Sequence, residues 1–200
     1  MPGIKRIGLY GGTFDPPHNA HVALAGYVLD KLSLDFIYFI PTAIHAFKDR
    51  KHITPQQIRY TMLEMAVASH PKFRISKIEF DRPAVSYTVD TLKMFCKYEK
   101  IDQAFLHYII GMDNFLEFSL WKEPARILNL ANLVVMHRAG YSEPSVEEKY
   151  SERVMFLKTP SYDISSTEIR KLISNGLPFK HLIPPGVAKI IERHHLYHTN

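Results

Sequence analysis

Five stretches of the chain are dominated by apolar side chains and bounded by polar or turn-forming residues. They are Ile4–Tyr10 (IKRIGLY), Asp35–Pro41 (DFIYFIP), Ala104–Gly111 (AFLHYIIG), Ala131–His137 (ANLVVMH) and the shorter Arg153–Lys158 (RVMFLK). Nearly continuous apolar runs of this length predict strands buried on both faces, as in a parallel sheet. Between them the period lengthens. Ala25, Val28, Leu29 and Leu32 fall at i, i+3, i+4 and i+7, which predicts an amphipathic helix after the first strand. Thr54-Pro55-Gln56-Gln57 combines an N-cap, a first-turn proline and a capping-box glutamine. Ile58, Met62 and Met65 then mark one face of the helix it would open, and Val89, Leu92 and Phe95/Cys96 mark another helix. Strands alternating with helices predict an α/β fold with a doubly wound parallel sheet.

A length of 200 residues suits a single domain. The polar stretch Gly140–Glu152 reads as a surface loop or a connector to the last third of the chain. We therefore expect an α/β core over about 1–158 and a small C-terminal helical part over about 159–200. The formal net charge of +5 favours anionic ligands. No basic run is interleaved with aromatics, so nucleic acid is not an expected partner. No apolar run approaches the roughly 20 residues that cross a bilayer, and no membrane partner is expected. The chain enters a strand soon after Met1 and carries one cysteine, Cys96, read as an inert buried thiol. Both features predict a cytoplasmic protein without a disulfide.

Candidate chemistry begins with Gly8–His21, GLYGGTFDPPHNAH. A strand ends near Tyr10, a glycine turn follows, and a helix starts near His18 or Asn19. That order places backbone N–H groups and a helix N-terminus at the carboxyl edge of a strand, which is an anion site. Gly11 and Gly12 allow close approach of a phosphate, and Thr13 adds a hydroxyl. The stretch fits neither of the two commonest phosphate-loop patterns, G-x-G-x-x-G and G-x-x-x-x-G-K-[ST]. Its unusual content is histidine: His18 and His21, three apart, project from one face of a helical turn and can donate to phosphoryl oxygens. A third ligand at metal spacing is missing, which argues against zinc.

A second anion site is read in Ile164–Leu172, ISSTEIRKL. Ser165 is an N-cap with Glu168 at N3, Ile169, Leu172 and Ile173 give a buried face, and Gly176 suits C′. The Ser166 hydroxyl and the Arg170 guanidinium, one turn apart, can reach the same anion. His194, His195 and His198 read as the polar end of a C-terminal helix, where histidine suits the dipole, and not as a metal site.

GGTFDPPHNAH resembles the opening G-G-T-F-D-P-x-H-x-G-H of the nucleotidylyltransferase superfamily, and ISSTEIR resembles its C-terminal I-S-S-T-x-I-R. The middle of the chain narrows the likeness. RPAVSYTVDTL (Arg82–Leu92), IIGMDNFLEFSLWKEPARIL (Ile109–Leu128) and VVMHRAGY are similar to segments of the bacterial nicotinate mononucleotide adenylyltransferases. The resemblance runs in order from about Gly8 to the final helix. Ala20 stands where the family has glycine, Ala139 where it has proline, and His45-Ala46-Phe47-Lys48 where it usually has P-P-H-K/R.

The resemblance implies a Rossmann-like sheet and transfer of AMP from ATP to nicotinate mononucleotide, releasing pyrophosphate. It implies catalytic contacts from His18 and His21 to the α-phosphate, with Gly11, Gly12, Thr13 and Phe14 along the phosphates. Ser165, Ser166 and Arg170 would hold the outer phosphates, Lys48 would add charge, and Gly111 and Asp113 would lie near the adenosine. Trp121 would stack on the pyridine ring, Thr88 would meet the nicotinate carboxylate, and Tyr87 would pack beside them. Mg²⁺ would arrive bound mainly through the ATP phosphates. Arg59 and Arg82 read as helix-surface and loop charges outside the site. A homo-oligomer is compatible with the sequence. The alternatives are nicotinamide mononucleotide or phosphopantetheine as acceptor, and a non-catalytic nucleotide-binding regulator.

Overall fold

The structure, a computed structural model, describes residues 5–43, 53–82, 85–138, 150 and 153–198. Among these, six strands form one sheet in the order β3-β2-β1-β4-β5-β6. They are β1 (Ile7–Gly12), β2 (Phe36–Pro41), β3 (Phe73–Ile75), β4 (Leu106–Gly111), β5 (Asn132–Arg138) and β6 (Val154–Thr159). Every neighbouring pair is parallel. The chain builds outward from β1 through β2 and β3, then returns to β1's other side with β4. The carboxyl ends of β1 and β4 therefore flank the point where the winding reverses, the usual ligand position in an open α/β sheet.

Helices cover both faces: α1 (Asn19–Lys31), α2 (Gln56–Val67), α3 (Thr88–Glu99), α4 (Met112–Leu116), α5 (Pro124–Leu128), α6 (Ser166–Ser174) and α7 (Pro185–Arg193). Strand residues alternate between two cores, as a period of two requires. Ile7 and Leu9 of β1 join the core that holds Val89 and Leu92 of α3. Tyr10 joins the opposite core with Val28 of α1 and Met62 of α2. Ile169 and Ile173 of α6 and Val187, Ile190 and Ile191 of α7 enter that same core. Burying such side chains stabilises by about 1.5–3 kcal/mol each, so this packing fixes the C-terminal helices against the face that carries the opening turn. None of the helices described is long and apolar enough to cross a membrane.

The five apolar runs appear as β1, β2, β4, β5 and β6, with β1 extending through both glycines. Three local readings need correction. Thr54 does not cap α2, whose N-cap position is Pro55. The Thr54 hydroxyl instead donates to the Tyr197 oxygen (3.2 Å) and its N–H to Asp15 Oδ2 (3.1 Å). Met65 is 46% exposed, and α2 buries Met62, Leu63, Ala66 and Val67 instead. Arg59, read as a helix-surface charge, is 1% exposed. Farther along, Gly176 takes φ +68 just beyond α6, as a C′ glycine does.

Candidate active site

β1 leads into a turn that carries Thr13 and Phe14 and contains a cis Asp15–Pro16 bond before α1 begins at Asn19. Gly11 and Gly12 leave no space for side chains. A Cβ on Gly11 would sit 2.9 Å from the Tyr108 hydroxyl, and one on Gly12 would sit 2.9 Å from the Phe14 ring. Phe14 adopts φ 50. Its ring is 2% exposed and packs edge-on against Tyr10 and His21. Any contact from Phe14 to a phosphate would therefore come from its backbone.

His18 and His21 stack with ring centroids 3.6 Å apart and planes 20° from parallel. The His18 N–H donates to His21 Nδ1 (3.2 Å), which leaves the proton of a neutral His21 ring on Nε2. Burial holds the His18 imidazole down at about 4. Burial, and then the His18 charge, hold His21 well below its ordinary value. Both rings are thus neutral hydrogen-bond donors at pH 7.

The second motif meets the first across the sheet edge. Ser165 caps α6 by accepting from the Glu168 N–H (3.1 Å). The Ser166 hydroxyl donates to the Pro16 carbonyl (2.9 Å), and Arg170 Nη1 donates to the Asp15 carbonyl (2.8 Å). The two groups read as phosphate ligands therefore also tie down the turn they face. Arg170 Nη2 donates to the neighbouring Thr167 hydroxyl (3.2 Å).

A cleft of about 400 Å³ opens beside this turn, lined by Gly11–Thr13 on one wall and by Asp113, Tyr87, Thr88 and Trp121 elsewhere. Gly111 ends β4 and is the N-cap of α4, which carries Asp113. Thr88 opens α3, so its N–H has no partner within that helix. Its hydroxyl lies 3.3 Å from the Tyr108 hydroxyl. Trp121 stands edge-on to Tyr108, with centroids 6.4 Å apart. The Tyr87 ring faces the Lys122 ammonium at 4.6 Å. The cleft thus unites the sites predicted for ring and turn, while His18, His21, Ser166 and Arg170 cluster on the adjoining helix starts. Lys48 lies outside the described residues.

Several polar residues beside the site were not assigned to it from the sequence. Glu79 is 7% exposed, lines the cleft and accepts from the Thr91 hydroxyl (2.8 Å). Arg82, read as a loop charge, donates to that same hydroxyl (2.8 Å). Burial pushes the Glu79 carboxyl above its ordinary value. Asp15 accepts from the Tyr197 hydroxyl (2.5 Å) near the far end of the chain. Of these, Asp15 and Arg82 stood inside quoted motifs, GGTFDPPHNAH and RPAVSYTVDTL; Glu79 and Tyr197 have no periodic or motif signature.

The cytidylyltransferase-like family model matches residues 9–172. A probable nicotinate-nucleotide adenylyltransferase of Clostridium tetani is 39% identical over 97% of this chain and 100% of its own length. One from Geobacillus thermodenitrificans is 38% identical over 97% of this chain and 87% of its own. Among solved structures, Plasmodium falciparum nicotinic acid mononucleotide adenylyltransferase complexed with NaAD superposes with a TM-score of 0.76. It is 21% identical and covers 96% of this chain and 97% of its own, a likeness in fold. With a family match across most of its length and full-length relatives well above 30% identity, the chain belongs to the cytidylyltransferase-like family and, within it, to the nicotinate-nucleotide adenylyltransferases.

Proposed function

We propose that the chain transfers AMP from ATP to nicotinate mononucleotide, giving nicotinate adenine dinucleotide and pyrophosphate in the synthesis of NAD. The observation that carries this reading is the union of a phosphate turn, Gly11–Thr13, with Thr88 and Trp121 in one cleft. A phosphate oxygen of the mononucleotide attacks the α-phosphorus of ATP while the bond to the β-phosphate oxygen breaks. No covalent enzyme intermediate is required. The protein's task is to hold two anions in line and to stabilise the charge that develops.

His18 and His21 take the α-phosphate, as neutral imidazoles donating N–H. Gly11, Gly12, Thr13 and the Phe14 backbone run along the triphosphate. Ser165, Ser166 and Arg170 hold its outer phosphates from the start of α6, whose dipole favours an anion there. Lys48 adds a further positive charge. Gly111 and Asp113 receive the adenosine. Trp121 stacks on the pyridine ring, Tyr87 packs beside it, and the Thr88 hydroxyl and backbone N–H donate to the nicotinate carboxylate.

Among the described residues no cluster of three His, Cys, Asp or Glu side chains could hold a metal. Mg²⁺ fits as a partner of the ATP phosphates, for which it has the right hard-oxygen preference. When bound it supplies charge neutralisation on the leaving pyrophosphate. A cytoplasmic setting, where ATP is abundant, suits this chemistry.

The test is pyrophosphate release from ATP with Mg²⁺, measured in parallel with nicotinate mononucleotide, nicotinamide mononucleotide and phosphopantetheine. A strong preference for the first is expected. Equal use of both pyridine nucleotides would overturn the acid specificity, and release with phosphopantetheine alone would overturn the acceptor. Absence of release with all of them would put a nucleotide-binding regulator in its place.

A further inference from the structure

The opening turn faces an anion, yet its own carbonyl oxygens are negative dipoles that would repel one. The structure shows where they go. The Gly12 carbonyl accepts from the Thr42 N–H (3.0 Å) and hydroxyl (3.3 Å). The Asp15 and Pro16 carbonyls are held by Arg170 and Ser166. The Thr13 carbonyl is held by Arg59 Nη1 at 2.7 Å. A trans peptide is planar with its C=O and N–H antiparallel, so a trapped carbonyl aims the next N–H the opposite way. Holding Thr13 O therefore directs the Phe14 N–H away from Arg59.

Arg59 does more than meet one oxygen. Its Nη2 donates to the Thr42 carbonyl (2.8 Å), at the end of β2, and its Nε to the Thr54 carbonyl (3.0 Å), just before α2. The side chain is 1% exposed and its guanidinium lies 5.7 Å from the Phe80 ring centroid. Nearby Asp15 supplies negative charge, itself fixed by the Thr54 N–H and the Tyr197 hydroxyl. Three carbonyls approach one fork from three chain segments. A planar guanidinium with fixed donors can satisfy that arrangement, and a lysine ammonium cannot reproduce it.

We propose that Arg59 is a positioning residue for ATP: it turns the Thr13 carbonyl out of the anion site and so presents the Phe14 N–H to the phosphates. The inference rests on the adenylyl-transfer reading above. Arg59 touches no substrate and acts through the backbone of the turn. Its loss should weaken ATP selectively, because the ring site at Thr88 and Trp121 is built from other elements.

The experiment compares wild type with Arg59→Lys on the full chain. It measures ATP binding without acceptor, KM for each substrate, and thermal unfolding. We expect ATP affinity and ATP KM to worsen about tenfold or more, as loss of a hydrogen bond to a charged group implies. KM for nicotinate mononucleotide should stay within about twofold, since its contacts are untouched. A lower unfolding temperature with both KM values unchanged would reduce Arg59 to a structural role and overturn the proposal. Tyr197→Phe removes the hydroxyl that donates to the Asp15 carboxylate facing Arg59 and accepts from the Thr54 hydroxyl, and provides the second variant. It should show a smaller loss, again confined to ATP. If Arg59→Lys does not fold and Tyr197→Phe binds ATP normally, the proposal also fails. Wild type that binds no ATP would sink the functional reading itself and this inference with it; normal wild-type binding shared by the variants sinks only the inference.

Discussion

The His18 and His21 rings lie 3.6 Å apart, stacked and both uncharged at neutral pH. This has a consequence for stability. In the unfolded chain each imidazole takes a proton near pH 6.5. In the fold His18 resists protonation down to about 4. The pair's contribution is thus fully present above pH 6.5 and is lost as the pH falls toward 4. For His18 alone the difference is roughly 3 kcal/mol. Urea unfolding of wild type and His18→Asn between pH 7 and pH 4.5 checks this. The wild-type midpoint should fall more steeply than the variant's, and parallel profiles would contradict the buried neutral histidine.

Gly11 and Tyr108 make a second testable pair. A Cβ on Gly11 would meet the Tyr108 hydroxyl at 2.9 Å, but the next ring atom only at 3.6 Å, an ordinary contact. Gly11→Ala should therefore push the Tyr108 ring away from Thr88 and raise KM for the mononucleotide. Adding Tyr108→Phe removes the clashing atom. The double variant should bind the mononucleotide better than Gly11→Ala alone, a coupling that a double-mutant cycle measures directly. Additive losses would place the damage elsewhere in the turn.

Much of this architecture was legible because it is written in local pattern. Parallel strands buried on both faces leave nearly unbroken apolar runs, and Ile37, Phe39 and Ile40 in β2 are each within 2% of full burial. β3 escaped because three residues carry no period, and of these only Phe73 is buried. The five-residue helices α4 and α5 are also too short to show a period. Thr54 failed for a different reason. Its local signal was sound, but Asp15 and Tyr197, distant in sequence, took its hydrogen bonds. Arg59 is the same case at larger scale. An arginine on a helix reads as solvated unless its partners are known, and here the partners are carbonyls from three separate segments. The two anion motifs were each readable alone; their meeting through Ser166 and Pro16 needed the fold.

Trp121 is the only tryptophan, so its fluorescence reports one location. It lines the cleft beside Tyr108 and Phe118. Nicotinate mononucleotide should quench this emission and ATP alone should change it little. Stacking contributes roughly 1 kcal/mol beyond buried area, so Trp121→Ala should raise KM for the mononucleotide about fivefold or more. Quenching by ATP alone, with the mononucleotide silent, would move the pyridine ring out of this part of the cleft.

Ser165 and Ser166 are adjacent and should separate cleanly when each is replaced by alanine. Ser165 Oγ accepts the Glu168 N–H, the cap of α6, and loss of such a cap costs about 1 kcal/mol. Ser165→Ala should therefore lower the unfolding temperature and change ATP KM only modestly. Ser166 Oγ donates to the Pro16 carbonyl in the turn and is proposed to hold an outer phosphate of ATP. Ser166→Ala leaves the cap in place but loses the bond to the Pro16 carbonyl, so a modest loss of stability should come with a several-fold rise in ATP KM, as expected for one lost hydrogen bond to a ligand. The two positions differ by one residue and share a helix start. A result in which both variants lose stability and neither loses ATP affinity would mean that the start of α6 braces the turn without holding the phosphates.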